Sequence, residues 1–83
     1  MSSEPTEFST DIEHELASLW QQVLNTDFLP RPSDDFFSLG GDSVAMIMAE
    51  LRIKEEFSVD LPEGVILGVS SLRELSQLIE KSR

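Results

Sequence analysis

Apolar residues recur every three or four positions near both ends of the chain, which is the spacing of one helix face. The first stripe predicts a helix from Asp11 to Leu24, with Thr10 and Glu13 placed as a capping box. The second stripe predicts a last helix over residues 72–81, preceded by another capping box that begins at Ser71. Polar residues separate the apolar ones in both stripes, so each helix is expected to pack one side on a core.

A third helix is predicted from Ser43 to Phe57, and its apolar residues fall on two faces. One face continues along the whole helix and is predicted to pack on the core. Its members are Met46, Ala49, Ile53 and Phe57. The other face stops after two turns and is predicted to be an exposed docking surface, because exposed apolar patches usually mark partner sites. Its members are Val44, Ile47, Met48 and Leu51. For Val44 and Met48, packing against another helix of the same fold is the alternative.

Prolines and glycines divide the rest of the chain. Residues 25–35 contain Pro30 and Pro32 and are predicted to form a long loop. Pro62 suits the first position of a short helix over residues 63–67, which Gly64 weakens. Residues 1–9 are polar and are predicted to be a flexible tail, leaving residues 10–83 as one domain. These elements together predict an all-α fold, a small bundle of three main helices and one short helix.

The charge of the chain narrows the classes of partner. Sixteen acidic residues against six basic ones give a net charge of −10, which repels nucleic acid and disfavours anionic membranes. No apolar run approaches the length of a membrane span, and no signal peptide is evident. The chain has no cysteine, so a location in the cytoplasm is expected and any thiol chemistry must come from an added group. The acidity itself serves solubility or steers the domain toward basic patches on partners.

One short stretch combines a glycine pair with a serine at the start of the third helix. The stretch from Asp35 to Ser43 reads DFFSLGGDS, and its aromatic residues are expected to pin the loop on the core. Gly40 and Gly41 mark a loop end. Asp42 and Ser43 are both good N-cap residues, so Ser43 could simply cap the helix. The apolar residues that follow favour a second interpretation, in which something is attached to Ser43 beside a docking surface.

This stretch resembles the signature of carrier proteins that hold a 4′-phosphopantetheine arm, and most of all that of peptidyl carrier (thiolation) domains of nonribosomal peptide synthesis. The signature reads acidic-x-Phe-Phe-x-Leu-Gly-Gly-x-Ser and is matched from Asp34 to Ser43, and the resemblance extends from about Ile12 to Ile79. It implies an acyl-carrier-like bundle in which Ser43 carries the cofactor, with Gly41 and Asp42 beside it. Many peptidyl carriers have His where this chain has Asp42, whereas acyl carriers typically have Asp, so the class of cargo stays open.

The resemblance also implies partners. A phosphopantetheinyl transferase would modify Ser43, an adenylating enzyme would load the cargo as a thioester, and condensing or tailoring enzymes would receive it. In the family, the short helix that corresponds to residues 63–67 borders the docking surface, which adds Val65 and Ile66 to the predicted contacts. The domain is expected to be a monomer. The chain begins at Met1 and has little sequence after its last helix, which favours a free-standing carrier, although a piece excised from a larger synthetase would have the same ends.

Catalytic and metal-binding motifs are absent, so the chain is predicted not to be an enzyme and to hold no metal. The sequence around Ser43 lacks the second glycine of a hydrolase elbow, and the single histidine, His14, is expected to face solvent. The acidic residues do not follow calcium-loop spacing. The rival functions are an acyl carrier of fatty-acid or polyketide synthesis, a protein-interaction module in which Ser43 is only an N-cap, and a hydrolase with Ser43 as nucleophile.

Overall fold

The computed structural model describes residue 8, residues 10–69 and residues 71–82. This part of the chain contains three α-helices, one 3-10 helix and no strand, so the predicted all-α bundle is confirmed. The elements are α1 (Asp11–Leu24), α2 (Ser43–Phe57), the 3-10 helix η1 (Val65–Gly68) and α3 (Leu72–Ser82). The bounds of α1 and α2 agree with the sequence prediction, and α3 ends one residue later than predicted.

The short helix differs from its prediction in type and position. It was expected over residues 63–67 and instead spans Val65–Gly68 as a 3-10 helix. Gly64 has a φ of +80°, which is left-handed backbone and cannot belong to a right-handed helix. The helix therefore begins after Gly64, where the N–H of Leu67 donates to the Gly64 carbonyl at 2.9 Å.

The core forms where α1 packs against both α2 and α3. It combines the apolar faces of the three helices with side chains from the connecting segments. The buried residues are Leu16, Ala17, Leu19, Trp20, Phe36, Ala49, Ile53, Phe57, Val59, Ile66, Leu72, Leu75 and Ile79. The predicted core face of α2 is confirmed, although Met46 is only partly buried. The opposite flank of α2 consequently faces away from the bundle.

A buried ion pair joins the first and last helices. Glu13 on α1 is 2 % exposed, and its carboxylate accepts a hydrogen bond from Arg73 Nε on α3 at 2.7 Å. A buried carboxylate without a partner would be costly, so this pair fixes which faces of α1 and α3 meet. The backbone N–H of Glu13 also donates to the Thr10 side chain at 3.1 Å, which confirms Thr10 as the N-cap of α1.

The predicted flexible tail lies almost entirely outside the described residues. Only Phe8 of residues 1–9 is described; it is half-buried and packs against the core. Its ring meets the His14 ring edge-on, with the centroids 5.3 Å apart. His14 is exposed, as predicted.

Candidate functional site: the turn before α2

The two glycines close a single helical turn that leads into α2. The N–H of Gly40 donates to the Phe37 carbonyl and the N–H of Gly41 to the Phe36 carbonyl, both at 3.1 Å. This pair of bonds is the Schellman arrangement, which ends a helix with a left-handed residue. Gly40 supplies that residue with a φ of +103°. The turn therefore ends at a fixed place, and the chain leaves it directly into α2.

Phe36 fastens this turn to the core. Its ring is 1 % exposed and meets the Trp20 ring edge-on, with the centroids 5.1 Å apart. Gly41 lies directly against the same ring. A Cβ atom at position 41 would be far inside contact distance of two ring carbons and 2.8 Å from the Phe36 carbonyl oxygen. Gly41 thus permits the close packing that holds the turn, a role that the sequence did not reveal.

The long loop is also bonded to the start of α3. The N–H of Leu72 donates to the Asp34 carbonyl and the N–H of Arg73 to the Pro32 carbonyl, both at 2.9 Å. These two N–H groups belong to the first turn of α3 and have no partner within the helix. The carboxylate of Asp35 accepts from the Ser38 N–H at 2.9 Å, which braces the turn from inside. The segment before Ser43 is thus fixed to the core by Phe36 and to α3 by these backbone hydrogen bonds.

Ser43 is the first residue of α2, and Asp42 is the N-cap. The Asp42 carboxylate accepts from the N–H of Ala45 at 2.8 Å, so capping does not use the serine. The prediction left open whether Ser43 is only a cap, and the geometry answers that it is not. Ser43 is exposed, and its hydroxyl forms no hydrogen bond with any other described residue.

The start of α2 offers hydrogen-bond donors to an anion on Ser43. The N–H groups of Ala45 and Met46 are taken by the side chain and carbonyl of Asp42. Those of Ser43 and Val44 have no partner among residues 8, 10–69 and 71–82. Free N–H groups and the positive end of the helix dipole favour a phosphodiester here. The Asp42 carboxylate adds a like charge nearby, and it accepts a hydrogen bond from the Ala45 N–H.

The predicted docking flank of α2 is exposed along its whole length. Between 52 % and 66 % of each side chain is accessible. Its members are Val44, Ile47, Met48 and Leu51. We call this set the α2 apolar surface. Its exposure excludes the alternative that Val44 and Met48 pack against another described helix.

The prediction for the short helix was partly wrong. Ile66 was expected to contribute to docking, but it is 1 % exposed and belongs to the core. Val65 is partly buried, and Leu67, which the sequence did not single out, is 68 % exposed. The three residues per turn of a 3-10 helix, together with its later start, point Ile66 inward and leave Leu67 outside.

A groove of about 680 Å³ separates α2 from the segment that contains η1. Ile47 and Leu51 of the α2 apolar surface line one side, and Leu61 and Val65 line the other. Charged residues stand along the groove, among them Lys54. Part of the α2 apolar surface and the η1 segment therefore line the same groove.

Glu50 reaches across this groove from α2 to the η1 segment. It is half-buried. Its carboxylate accepts from the N–H of Gly64 at 2.9 Å and from the N–H of Ile66 at 3.3 Å. These partners lie 14 and 16 residues away in the chain, so no local pattern could have indicated the contact.

A family model described as "Phosphopantetheine attachment site" matches residues 14–79, which is most of the chain. The chain belongs to this family. The phosphopantetheine carrier fold accounts for the bundle, and the match includes the turn, Ser43 and the α2 apolar surface. The suspected resemblance to phosphopantetheine carriers is confirmed.

Curated and solved relatives agree with this assignment. The chain is 40 % identical over 70 residues to part of a linear gramicidin synthase from Brevibacillus parabrevis; the match covers 84 % of this chain and 1 % of that protein. It is 30 % identical to a chain in a solution structure of a docking domain complex of the Pax NRPS, with a TM-score of 0.82 and coverage of 99 % and 78 % of the two chains.

A third likeness shows the fold alone. A peptidyl carrier protein solved in complex with the phosphopantetheine transferase Sfp and coenzyme A has a TM-score of 0.81 at 24 % identity. The match covers 89 % of this chain and 95 % of that one. This likeness confirms the fold class.

The domain is therefore a carrier of 4′-phosphopantetheine and not itself an enzyme. The cofactor supplies a terminal thiol, which no residue of this cysteine-free chain can supply. Among the described residues, no group of three potential metal ligands is found. Within the same residues, no helix is long and apolar enough to cross a membrane.

Proposed function

We propose that Ser43 is the residue that holds the 4′-phosphopantetheine arm, and that the domain presents an aminoacyl or aryl thioester to partner enzymes of natural-product biosynthesis. One observation carries the proposal. Ser43 is exposed at the start of α2 and lies in the family signature, while Asp42 takes over the capping that would otherwise occupy a serine there.

The only group of this domain that reacts during attachment is the Ser43 hydroxyl. The Ser43 oxygen attacks the phosphorus next to the pantetheine of coenzyme A and forms a P–O bond. The pyrophosphate linkage of coenzyme A breaks, adenosine 3′,5′-bisphosphate leaves, and a transferase base takes the serine proton. The charge left on the new phosphodiester lies at the start of α2, where the N–H groups of Ser43 and Val44 are available.

Gly41 and Asp42 support this role by fixing the position of Ser43. Gly41 allows Phe36 to hold the turn, and Asp42 closes the helix end so that Ser43 starts α2 in a fixed direction. A carrier gains from such placement because tethering raises the effective concentration of the cargo only where the arm can reach the partner site.

The α2 apolar surface is the proposed docking site for partner enzymes, with Val65 and Leu67 beside it. The proposed partners are a phosphopantetheinyl transferase, an adenylating enzyme that loads the cargo, and condensing or tailoring enzymes. A net charge of −10 favours partners with basic patches around an apolar centre. The proposal takes the domain as a monomer. It places the domain in the cytoplasm because the chain has no cysteine and its charge disfavours anionic membranes.

The likeness to a gramicidin synthase and to a chain of an NRPS complex favours an amino acid as cargo. Asp42 supports a second candidate, an acyl carrier of polyketide or fatty-acid synthesis, because acyl carriers typically have Asp before the serine. The two differ in what loads them, since an acyl carrier accepts malonyl or acyl groups rather than adenylated amino acids.

Incubation with coenzyme A and a broad-specificity transferase tests the proposal. We expect the intact mass of the folded domain to rise by one phosphopantetheine, because one exposed serine lies at the start of α2. Incubation without the transferase is the control and should leave the mass unchanged. A folded domain that was unmodified at the start and gains nothing would contradict the proposal.

A further inference from the structure

The 3-10 helix η1 is too short to hold its own position. It has four residues, and isolated helices of that length are unstable. Two contacts fix it from outside. Ile66 is buried in the core, and the Glu50 carboxylate accepts hydrogen bonds from the N–H groups of Gly64 and Ile66. These groups stand at the start of η1, so one side chain of α2 binds the beginning of the short helix.

The Glu50 bonds are of a strong type in a sheltered place. The acceptor is a half-buried carboxylate, and hydrogen bonds to ionised groups are stronger than those between neutral groups. Glu50 lies two turns after Ser43 on the same helix, about 10 Å along its axis. The bonds therefore couple η1 to the helix that carries Ser43 and the α2 apolar surface.

The two side chains of η1 that are not buried in the core depend on this coupling. Val65 lines the groove opposite Ile47 and Leu51, and Leu67 is exposed. If the hydrogen bonds to Glu50 were lost, the start of η1 would be free to move and these side chains would no longer lie at a fixed distance from α2. A docking partner would then have to order η1 as it binds, which lowers its apparent affinity.

We propose that Glu50 is a positioning residue for partner docking: it holds η1 against α2 so that Val65, Leu67 and the α2 apolar surface form one preformed docking site. The inference rests on the proposed docking function. Glu50 acts through η1 and needs no contact with the partner.

The test compares Glu50→Gln with Glu15→Gln, which removes the same charge. Glu15 is exposed on α1 and lines a pocket with Glu56, Phe57 and Ser58, at the end of α2 that is remote from Ser43. A glutamine at position 50 keeps one carbonyl oxygen but places an NH2 group against a backbone N–H. Amide hydrogen exchange, folding stability and steady-state kinetics with the transferase are measured for both variants and the parent.

We expect the amides of Gly64 and Ile66 to exchange about tenfold faster in Glu50→Gln, because a hydrogen bond to a charged group is lost. Exchange in α1 and α3 should not change. For the transferase reaction, KM for the carrier should rise about three- to tenfold at unchanged kcat, since Ser43 and its turn are intact and only docking is weakened. Glu15→Gln should match the parent in exchange and KM.

A second variant, Leu67→Ser, tests the same coupling by comparing its effect in the parent with its effect in the Glu50→Gln background. Its side chain is exposed, so the change leaves the core intact. Leu67→Ser should raise KM in the parent background but add little in the Glu50→Gln background, because both changes act through η1. Equal KM values for Glu50→Gln and Glu15→Gln would overturn the inference. So would a Leu67→Ser variant that raises KM as much in the Glu50→Gln background as in the parent. A parent that gains no phosphopantetheine would instead refute the proposed function.

Discussion

The Ser43→Ala variant is expected to fold like the parent and to take up no phosphopantetheine from coenzyme A. The change removes the only atom that can form the phosphodiester at this position. It removes little else, because the serine hydroxyl is exposed and Asp42 provides the cap of α2. The free energy of unfolding should change by less than about 0.5 kcal/mol, as at other exposed positions. Intact mass and chemical denaturation measure the two parts of this prediction.

Ser33→Ala is the matched control. Ser33 is an exposed serine of the loop that precedes α2, and it lies outside the signature. The Ser33→Ala variant should gain one phosphopantetheine at the rate of the parent. Uptake by Ser43→Ala would show that the arm is attached to another residue. Loss of uptake in both variants would show that the loss in Ser43→Ala does not identify Ser43 as the attachment site.

The Phe36→Ala variant should destabilise the domain by about 3–5 kcal/mol, the usual cost of removing a buried aromatic ring. A chain of this size has a total stability of about 4–12 kcal/mol, so the loss is a large part of it. The ring fills the space between Trp20 and Gly41, and its removal frees the turn before Ser43. Chemical denaturation should show the lower stability, and modification by the transferase should slow even under conditions where the variant stays folded.

Two further variants test whether the loss of stability comes from the packing of Phe36 or from the loss of any aromatic ring. Phe37 is next in the chain but only partly buried, so Phe37→Ala should cost clearly less than Phe36→Ala. Gly41→Ala keeps both rings and adds a Cβ against the Phe36 ring, which should cost about 1–3 kcal/mol through strain. Equal stabilities for the Phe36→Ala and Phe37→Ala variants would contradict the role assigned to Phe36.

The helices were predictable because their signals are local. Thr10 caps α1 as its spacing to Glu13 indicates, and the stripes in α1 and α2 place the core faces correctly. The start of α2 was predicted at Ser43, but two adjacent residues could each have been the cap. Only the bond from Ala45 to Asp42 decided between them and left the serine hydroxyl available.

The errors lie where distant parts of the chain meet. The position of η1 depends on the left-handed backbone of Gly64 and on the carboxylate of Glu50, and neither follows from helical periodicity. The burial of Ile66 and the exposure of Leu67 follow from that position. The packing of Gly41 on Phe36 was likewise invisible, because a glycine pair in a sequence indicates a turn but not what the turn lies against.

Locating the added group in the modified parent domain tests the central claim most directly. After reaction with coenzyme A and the transferase, the protein is digested and the peptide that contains residues 35–51 is fragmented in the mass spectrometer. We predict one phosphopantetheine per chain, with the fragment masses placing it on Ser43. A phosphopantetheine on any other serine, or a folded and initially unmodified parent that acquires none, would contradict the assignment of Ser43 as the attachment site.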